Sequence, residues 1–503
     1  MRRVVDVPRN AFALATAEQS GLLIDARNYY RAVYHALEQA QHYAIVSGWQ
    51  FESGVRLLRG RDAETATRPV KLLEFLSALC DEQPELTIYV LAWDFSFVYA
   101  QERESQQREK FTAAHPRIRF EWDAHPSAGG SHHQKFVVVD GTVGFLGGID
   151  LCDARWDDCR HLAEDPERVN VVGDPCKPYH DVQACFTGAV VCSLVDVFRD
   201  RWQRATGEHL PLPAPDGASQ ARYDLRRLSH DSAQPIVASH AALSRTQVDD
   251  RAQPERIGEI LALFAAAIAT AQHSIYVETQ YFTSRTIAEL LIERMRNEDL
   301  PKLDIVVFMP HGADTAMEKM ALEDTQDGVL TAVNDTARAM GHGLQLLYPA
   351  SHDDAGGEIA TFIHSKILSI DDRLLIVGSP NFTERSMALD SEIAVSWECT
   401  TEDDPLDMCI RDIRCELLAE HSGVPAGEFS SARGLCAKIE TLLARGNTRL
   451  RRREVGSAGA LGPVLAQIFD PGDAQLTKAA LPPTHESSLD PFTGQRVSGS
   501  SSE

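Results

Sequence analysis

Short apolar runs recur along the chain, among them Tyr43 to Trp49, Leu86 to Trp93, Ser274 to Thr279 and Asp304 to Met309. Runs of four to eight apolar residues bounded by polar ones predict buried strands. Segments of helix length, Val70 to Cys80 and Thr286 to Arg296, lie beside them. Alternation of the two element types predicts an α/β fold.

The pattern repeats. Ala36, Ala40, Gln41, His42, Val46, Phe51 and Ser53 recur as Ala267, Ala271, Gln272, His273, Val277, Phe282 and Ser284, every pair separated by the same interval. In both copies an Ala-rich helical pattern runs into a strand, so the chain reads as two similar halves. Leu210 to Ser219 carries Pro211, Pro213, Pro215 and Gly217, which reads as a linker. The expected division is a first half over 1–209, a linker over 210–234, a second half over 235–425 and a C-terminal extension over 426–503. That extension holds a helical segment around Ala432 to Ala444, then Arg449, Arg451, Arg452 and Arg453, read as a solvated face balancing nearby acids. A Ser-rich tail from about Ser487 is expected to be disordered.

Charge narrows the function. A formal net charge of −24 works against non-specific binding to nucleic acid or acidic membranes, so any anion site must be local. The longest apolar run, Ile260 to Ala271, is too short to span a bilayer, and Asp6, Pro8 and Arg9 interrupt the N-terminus before any signal-peptide core appears. A cytoplasmic or peripheral membrane location is expected. Ten scattered cysteines with no Cys-x-x-Cys pair predict reduced thiols, and the spacing of Cys152, Cys159, Cys176 and Cys185 does not suit zinc.

The chemistry lies in His133-Gln134-Lys135-Phe136-Val137-Val138-Val139-Asp140 and its copy at the same interval, His364-Ser365-Lys366-Ile367-Leu368-Ser369-Ile370-Asp371. Residues two apart on a strand share a face, so each His and Lys project together above a buried apolar run. Each aspartate ends its strand at a turn and should orient the hairpin more than touch substrate. One His-x-Lys-x4-Asp match arises by chance on the order of a few times per hundred such chains, whereas two in register are specific. At the same distance beyond each aspartate begin Gly147-Gly148-Ile149-Asp150 and Gly378-Ser379-Pro380-Asn381. Small residues there let a phosphate approach the backbone, and the fourth residue offers a polar side chain.

These paired motifs resemble the phospholipase D superfamily over roughly residues 20 to 425. The segments Gly147 to Asp153, Tyr179-His180-Asp181 and Ile275 to Phe282 resemble its phospholipid-cleaving branch of plant and bacterial enzymes. The resemblance implies two similar α/β domains, each a mixed sheet flanked by helices, related by a pseudo-twofold axis around one active site. It implies His133 as the nucleophile that forms a phosphohistidine and His364 as acid and then base. Lys135, Lys366, Ser379 and Asn381 would hold the non-bridging oxygens, while Gly148 and Asp150 depart from the second copy and Gln280 joins the substrate contacts. Asp140 and Asp371 complete the catalytic motifs.

Each imidazole needs an acceptor on its other nitrogen, and Asp181 and Glu392 fit, with the pairing open. His42 and His273 are expected to be structural helix-end residues, while Trp49, Phe51, Tyr281 and Phe282 belong to core or pocket wall. No cofactor or metal is expected, since neither half offers a metal-ligand cluster. The expected partner is a phospholipid at a membrane surface, met by a monomer without nucleic acid. A cardiolipin-synthase-like phosphatidyltransferase is the alternative, and a nuclease ranks below it.

Overall fold

The computed structural model describes residues 3–94, 103–127, 129–215, 221–248, 256–312, 316–456 and 470, with backbone alone for 316–321. The Ser-rich tail and residues 216–220 of the expected linker lie outside this set.

Two mixed sheets carry the same strand order. In the first, Gln234–Pro235, Ser20–Ile24, Val182–Thr187, Val143–Gly147, Phe136–Val139, Tyr43–Gly48, Thr87–Trp93 and Ile118–Asp123 lie side by side. In the second, His240–Val248, Glu392–Glu398, Leu374–Gly378, Ile367–Ile370, Ser274–Glu278, Asp304–Phe308 and Gly343–His352 follow the matching sequence. Tyr43–Gly48 runs parallel to Thr87–Trp93 and antiparallel to Phe136–Val139, and Ser274–Glu278 is placed likewise between its neighbours.

Alternation along the motif strands builds the interior. Phe136 and Val138 face a central core shared by both sheets, where they join Leu375, Val377, Val395 and Trp397. Val137 and Val139 face the opposite way, onto Tyr29, Val33 and Leu37 of the helix Asp25–Glu38. On the second sheet Leu374 and Ile376 likewise face outward, towards Ile260, Phe264 and Ile268 of the helix Glu259–Thr270. β-branched residues buried on both faces stabilise central strands of this kind.

Three stretches depart from the division expected from sequence. Ala13–Thr16 pairs with His240–Val248, so the chain's first strand joins the second sheet. The described part of 210–234 is folded: Leu210 and Leu212 are buried, Leu225–Leu228 is helical and Tyr223 donates to Asp140 at 2.8 Å. Its apolar side chains have core to bury in, which the proline spacing did not reveal. Beyond 425, the helix Leu435–Arg445 packs on the second sheet and Leu450–Arg452 pairs with Gly343–His352. Arg451, Arg452 and Arg453 reach Glu358, Glu440 and Asp327. All ten cysteines are free thiols.

Candidate active site

The two motif strands open at their N-terminal ends onto one cavity of about 450 Å³, lined by His133, Lys135 and Asp150 from one half and His364, Asn381 and Glu392 from the other. A larger groove, about 1390 Å³, runs past Leu14 and Pro235 and holds neither motif.

The halves cross at the histidines. Phe362–Ile363 pairs in parallel with Tyr179–His180, and His132 makes the matching bridge to Ser391. The backbone N–H of His364 donates to the His180 carbonyl at 2.8 Å, and that of His133 to the Ser391 carbonyl at 2.9 Å. The residue after each carbonyl is therefore delivered beneath the opposite half's imidazole. His133 Nδ1 lies 3.0 Å from Glu392 Oε2, and His364 Nδ1 lies 2.6 Å from Asp181 Oδ2. A carboxylate accepts, so each Nδ1 carries the proton and each Nε2 keeps its lone pair.

Burial, followed by the charges of Lys366, Arg155 and Lys135, holds His364 well below the usual imidazole range. Burial also pushes Asp181 up to about 6, against the pull of Lys366. Lys366 is brought down to about 7 by burial, which outweighs the attraction of Asp181. Lys366 Nζ donates to the His364 carbonyl, and Lys135 Nζ sits 3.2 Å from the His133 carbonyl and 3.3 Å from Asp150 Oδ2.

Several expected site residues serve the site without facing the cavity. Asp140 accepts from the N–H groups of Gln41, His42 and Tyr43 at 3.0, 2.8 and 3.0 Å, and Asp371 from those of Gln272, His273 and Ser274 at 2.6, 2.6 and 2.8 Å. Both aspartates sit in the left-handed region, φ 51° and 55°, at the far end of their strands. Neither lines the cavity, so within their catalytic motifs they fasten hairpin to helix end and do not touch substrate. The repeated Gln-His pair is explained by the same contacts, since it supplies backbone donors.

Gly148 and Ser379 are corrected likewise. A methyl group on Gly148 would lie 2.3 Å from Asp181 Oδ1, so its bareness makes room for that carboxylate. Ser379 is fully buried and its hydroxyl donates to Glu392. Ser386 donates to the other oxygen of Glu392 at 2.7 Å. Asp150 does line the cavity, but its oxygens are engaged by Lys135 and by the Trp49 N–H at 2.8 Å. Asn381 lines the cavity with its Oδ1 unpartnered, and Gln280 lines it while donating to the Tyr281 hydroxyl at 2.9 Å.

Other features were missed in the sequence. Trp93 stacks on Trp49 at 5.6 Å, and Arg155 enters the cavity beside Tyr179. Beneath His364 lies a buried cluster assembled from both halves: Asp25, His161 and His180 meet Glu420, with ligand atoms all within 4.8 Å of one another. Asp25 is fully buried, its Oδ1 3.2 Å from His180 Nδ1 and 3.7 Å from His161 Nε2. The outer ring nitrogens are held at 2.9 Å by Asp157, for His161, and at 3.0 Å by Glu278, for His180. Two imidazoles backed by carboxylates and facing two more could hold a divalent ion. Its members are distant in sequence and neither half holds all four, so no local spacing announces the cluster. Burial, then the charge of Glu420, raises Asp25 to about 7. Burial opposes charge on His161, but Asp25, Asp157 and Glu420 outweigh it and hold the ring at about 10.

Residues 36–288 match the family model described as Phospholipase D, and residues 264–404 match that described as Cardiolipin synthase, PLD-like domain. The chain is similar to Phospholipase D A of Dictyostelium discoideum, 23% identical over 80% of this chain and 35% of the relative. It is similar to Phospholipase D alpha 1 of Cynara cardunculus at 23% identity, over 79% of this chain and 64% of the relative. It therefore spans between about a third and two thirds of the length of these relatives. The crystal structure of phosphatidylserine synthase from Haemophilus influenzae Rd KW20 shares the fold, with a TM-score of 0.52 and 15% identity over 87% of this chain and 96% of that one.

Proposed function

Because the chain belongs to the phospholipase D family, we propose that it cleaves or transfers the phosphatidyl group of glycerophospholipids through a phosphohistidine on His133. The observation that carries this reading is the crossed arrangement, in which each histidine has its own lysine and a carboxylate from the opposite half. A phosphodiester needs a nucleophile, an acid for the leaving alkoxide and positive charge around phosphorus. The two His-Lys pairs supply the nucleophile, the acid and part of the positive charge.

In the first step His133 Nε2 attacks phosphorus, the bond to the head-group oxygen breaks, and that oxygen takes a proton from His364 Nε2. In the second step water or an alcohol attacks the phosphohistidine and gives its proton back to His364, and the phosphorus–nitrogen bond breaks. Glu392 and Asp181 hold the two rings in the required tautomers. Lys135, Lys366 and Asn381 face the non-bridging oxygens. His364 rests neutral, and the negative charge of a bound phosphate offsets the cations that suppress its protonation, so substrate binding is coupled to uptake of one proton from solvent at His364 Nε2, the proton then given to the leaving oxygen.

Among the described residues no helix is long and apolar enough to cross a membrane. The substrate is met at a lipid surface, by a monomer without nucleic acid. A phosphatidyltransferase that uses an alcohol in place of water is the second reading, favoured by the match of 264–404 to the cardiolipin synthase description. Release of choline, ethanolamine or glycerol from defined liposomes, with and without a primary alcohol, tests both. Phosphatidate without the alcohol and a phosphatidyl-alcohol with it are expected. No product on any liposome would refute the reading.

A further inference from the structure

The second half places Asn381 and Ser386 on the cavity wall, and the positions that match them in the first copy of the repeat, Asp150 and Arg155, line the same cavity. Chemistry at these matched positions differs. Asn381 offers a neutral amide and Ser386 serves Glu392, whereas Asp150 serves Lys135 and is anionic. An anion beside a phosphate repels it, so the first half lacks a neutral equivalent of Asn381. The charges around the histidines sharpen the difficulty: Lys135 and Lys366 stand against Asp150, Asp181 and Glu392. Two cations and three anions do not attract a phosphodiester. Arg385 does not alter the balance, since Asp390 binds it at 2.5 and 2.9 Å.

Arg155 does alter it. Its side chain is half-buried in the cavity wall. Its Nη1 donates to the Tyr179 hydroxyl at 3.0 Å and its Nη2 reaches Gln50 Oε1 at 3.5 Å. Both partners are neutral, and no carboxylate among the described residues lies within ion-pair distance of it. The Tyr179 ring lies 5.5 Å from His364, which sets the guanidinium beside the proton donor. A guanidinium has five donors in a rigid fork suited to paired anionic oxygens, and the neutral contacts leave donors over.

We propose that Arg155 binds a non-bridging oxygen of the phosphodiester, as the first half's counterpart of Asn381. This deepens the function proposed above and rests on it. The group would act on the ground state and more strongly on the five-coordinate transition state, where charge on those oxygens grows. It would do so for every head group, because the phosphoryl oxygens are common to all.

The test uses the full chain, its Arg155→Gln, Arg155→Lys and Arg155→Ala variants, and short-chain phosphatidylcholine, phosphatidylserine and phosphatidylglycerol. Arg155→Gln should lower kcat/KM by about 10²-fold or more, by a similar factor for all three lipids. Arg155→Lys should recover part of the loss, and millimolar guanidinium should partly restore Arg155→Ala, which a merely structural role would not allow. Tungstate, a phosphate mimic, should bind wild type in calorimetry at least tenfold more tightly than Arg155→Gln, whether or not the lipid is the true substrate. A loss confined to phosphatidylserine would make Arg155 a head-group reader and overturn the assignment. So would unchanged kinetics with unchanged tungstate affinity. Tungstate discrimination in a protein that turns over no lipid would instead overturn the functional reading and leave the anion site standing.

Discussion

Asp181 of the first half lies 2.6 Å from Nδ1 of His364 in the second and fixes the tautomer of a ring that its own half does not contain. Asp181 serves only when ionised, and Lys366 binds phosphate only when protonated. Because burial places them at about 6 and about 7, kcat/KM should rise with pH through about 6 and fall through about 7. A pH–rate profile on a soluble phosphodiester checks this. Asp181→Asn should lose the acid limb and at least about 10²-fold in rate. An unchanged acid limb would assign it elsewhere.

Gly148→Ala tests the same contact from behind. The added methyl would fall 2.3 Å from Asp181 Oδ1, so the carboxylate must move off His364. The expected outcome is a kinetic loss comparable to that of Asp181→Asn with a stability cost of only about 1–3 kcal/mol. Steady-state kinetics and thermal melting, measured together, decide it.

The two histidines should separate by leaving group. His133→Ala removes the nucleophile and should abolish activity with every substrate. His364→Ala removes the proton donor, which matters for an alkoxide and little for a phenolate. With an aryl ester it should give a burst of phenol, then slow turnover, with a phosphoryl adduct on His133 visible by mass spectrometry. An adduct on His364 in the His133→Ala protein would reverse the roles.

Asp140→Ala and Asp371→Ala should act on stability. Each leaves three backbone N–H groups without their carboxylate, at a cost of about 3 kcal/mol or more. Denaturant unfolding should show the loss, while kcat per folded molecule stays within about threefold of wild type, since neither residue lines the cavity.

Dialysis against EDTA should leave turnover intact, because the lysines and Arg155 supply charge at the phosphate. Complete loss restored by one divalent ion would make the cluster of Asp25, His161, His180 and Glu420 essential to the reaction.

The sequence shows the two His-Lys pairs, the α/β alternation and the repeat because these are local patterns on strands of period two. It does not show which carboxylate meets which histidine. That pairing depends on Tyr179–His180 running beside Phe362–Ile363, a contact between strands of opposite halves that no local pattern encodes. Ser379 and Gly148 are ambiguous in the sequence for a related reason. A small residue after a motif strand suits an approaching phosphate and an approaching carboxylate equally, and only the neighbouring strand decides. Arg155 had a signal, its correspondence with Ser386 in the register of the repeat, but the two share no chemistry that would draw attention to the position.

The exchange of carboxylates between halves also orders events during synthesis. His133 emerges from the ribosome well ahead of Glu392, and the strand that carries Glu392 must still pair with His240–Val248, itself bordered by Ala13–Thr16 from the start of the chain. A nascent chain therefore displays a nucleophile with no acceptor to orient it and no second histidine to protonate a leaving group. By the proposed mechanism the site stays silent until the strand that carries Glu392 has paired, so turnover reports the joining of the two halves.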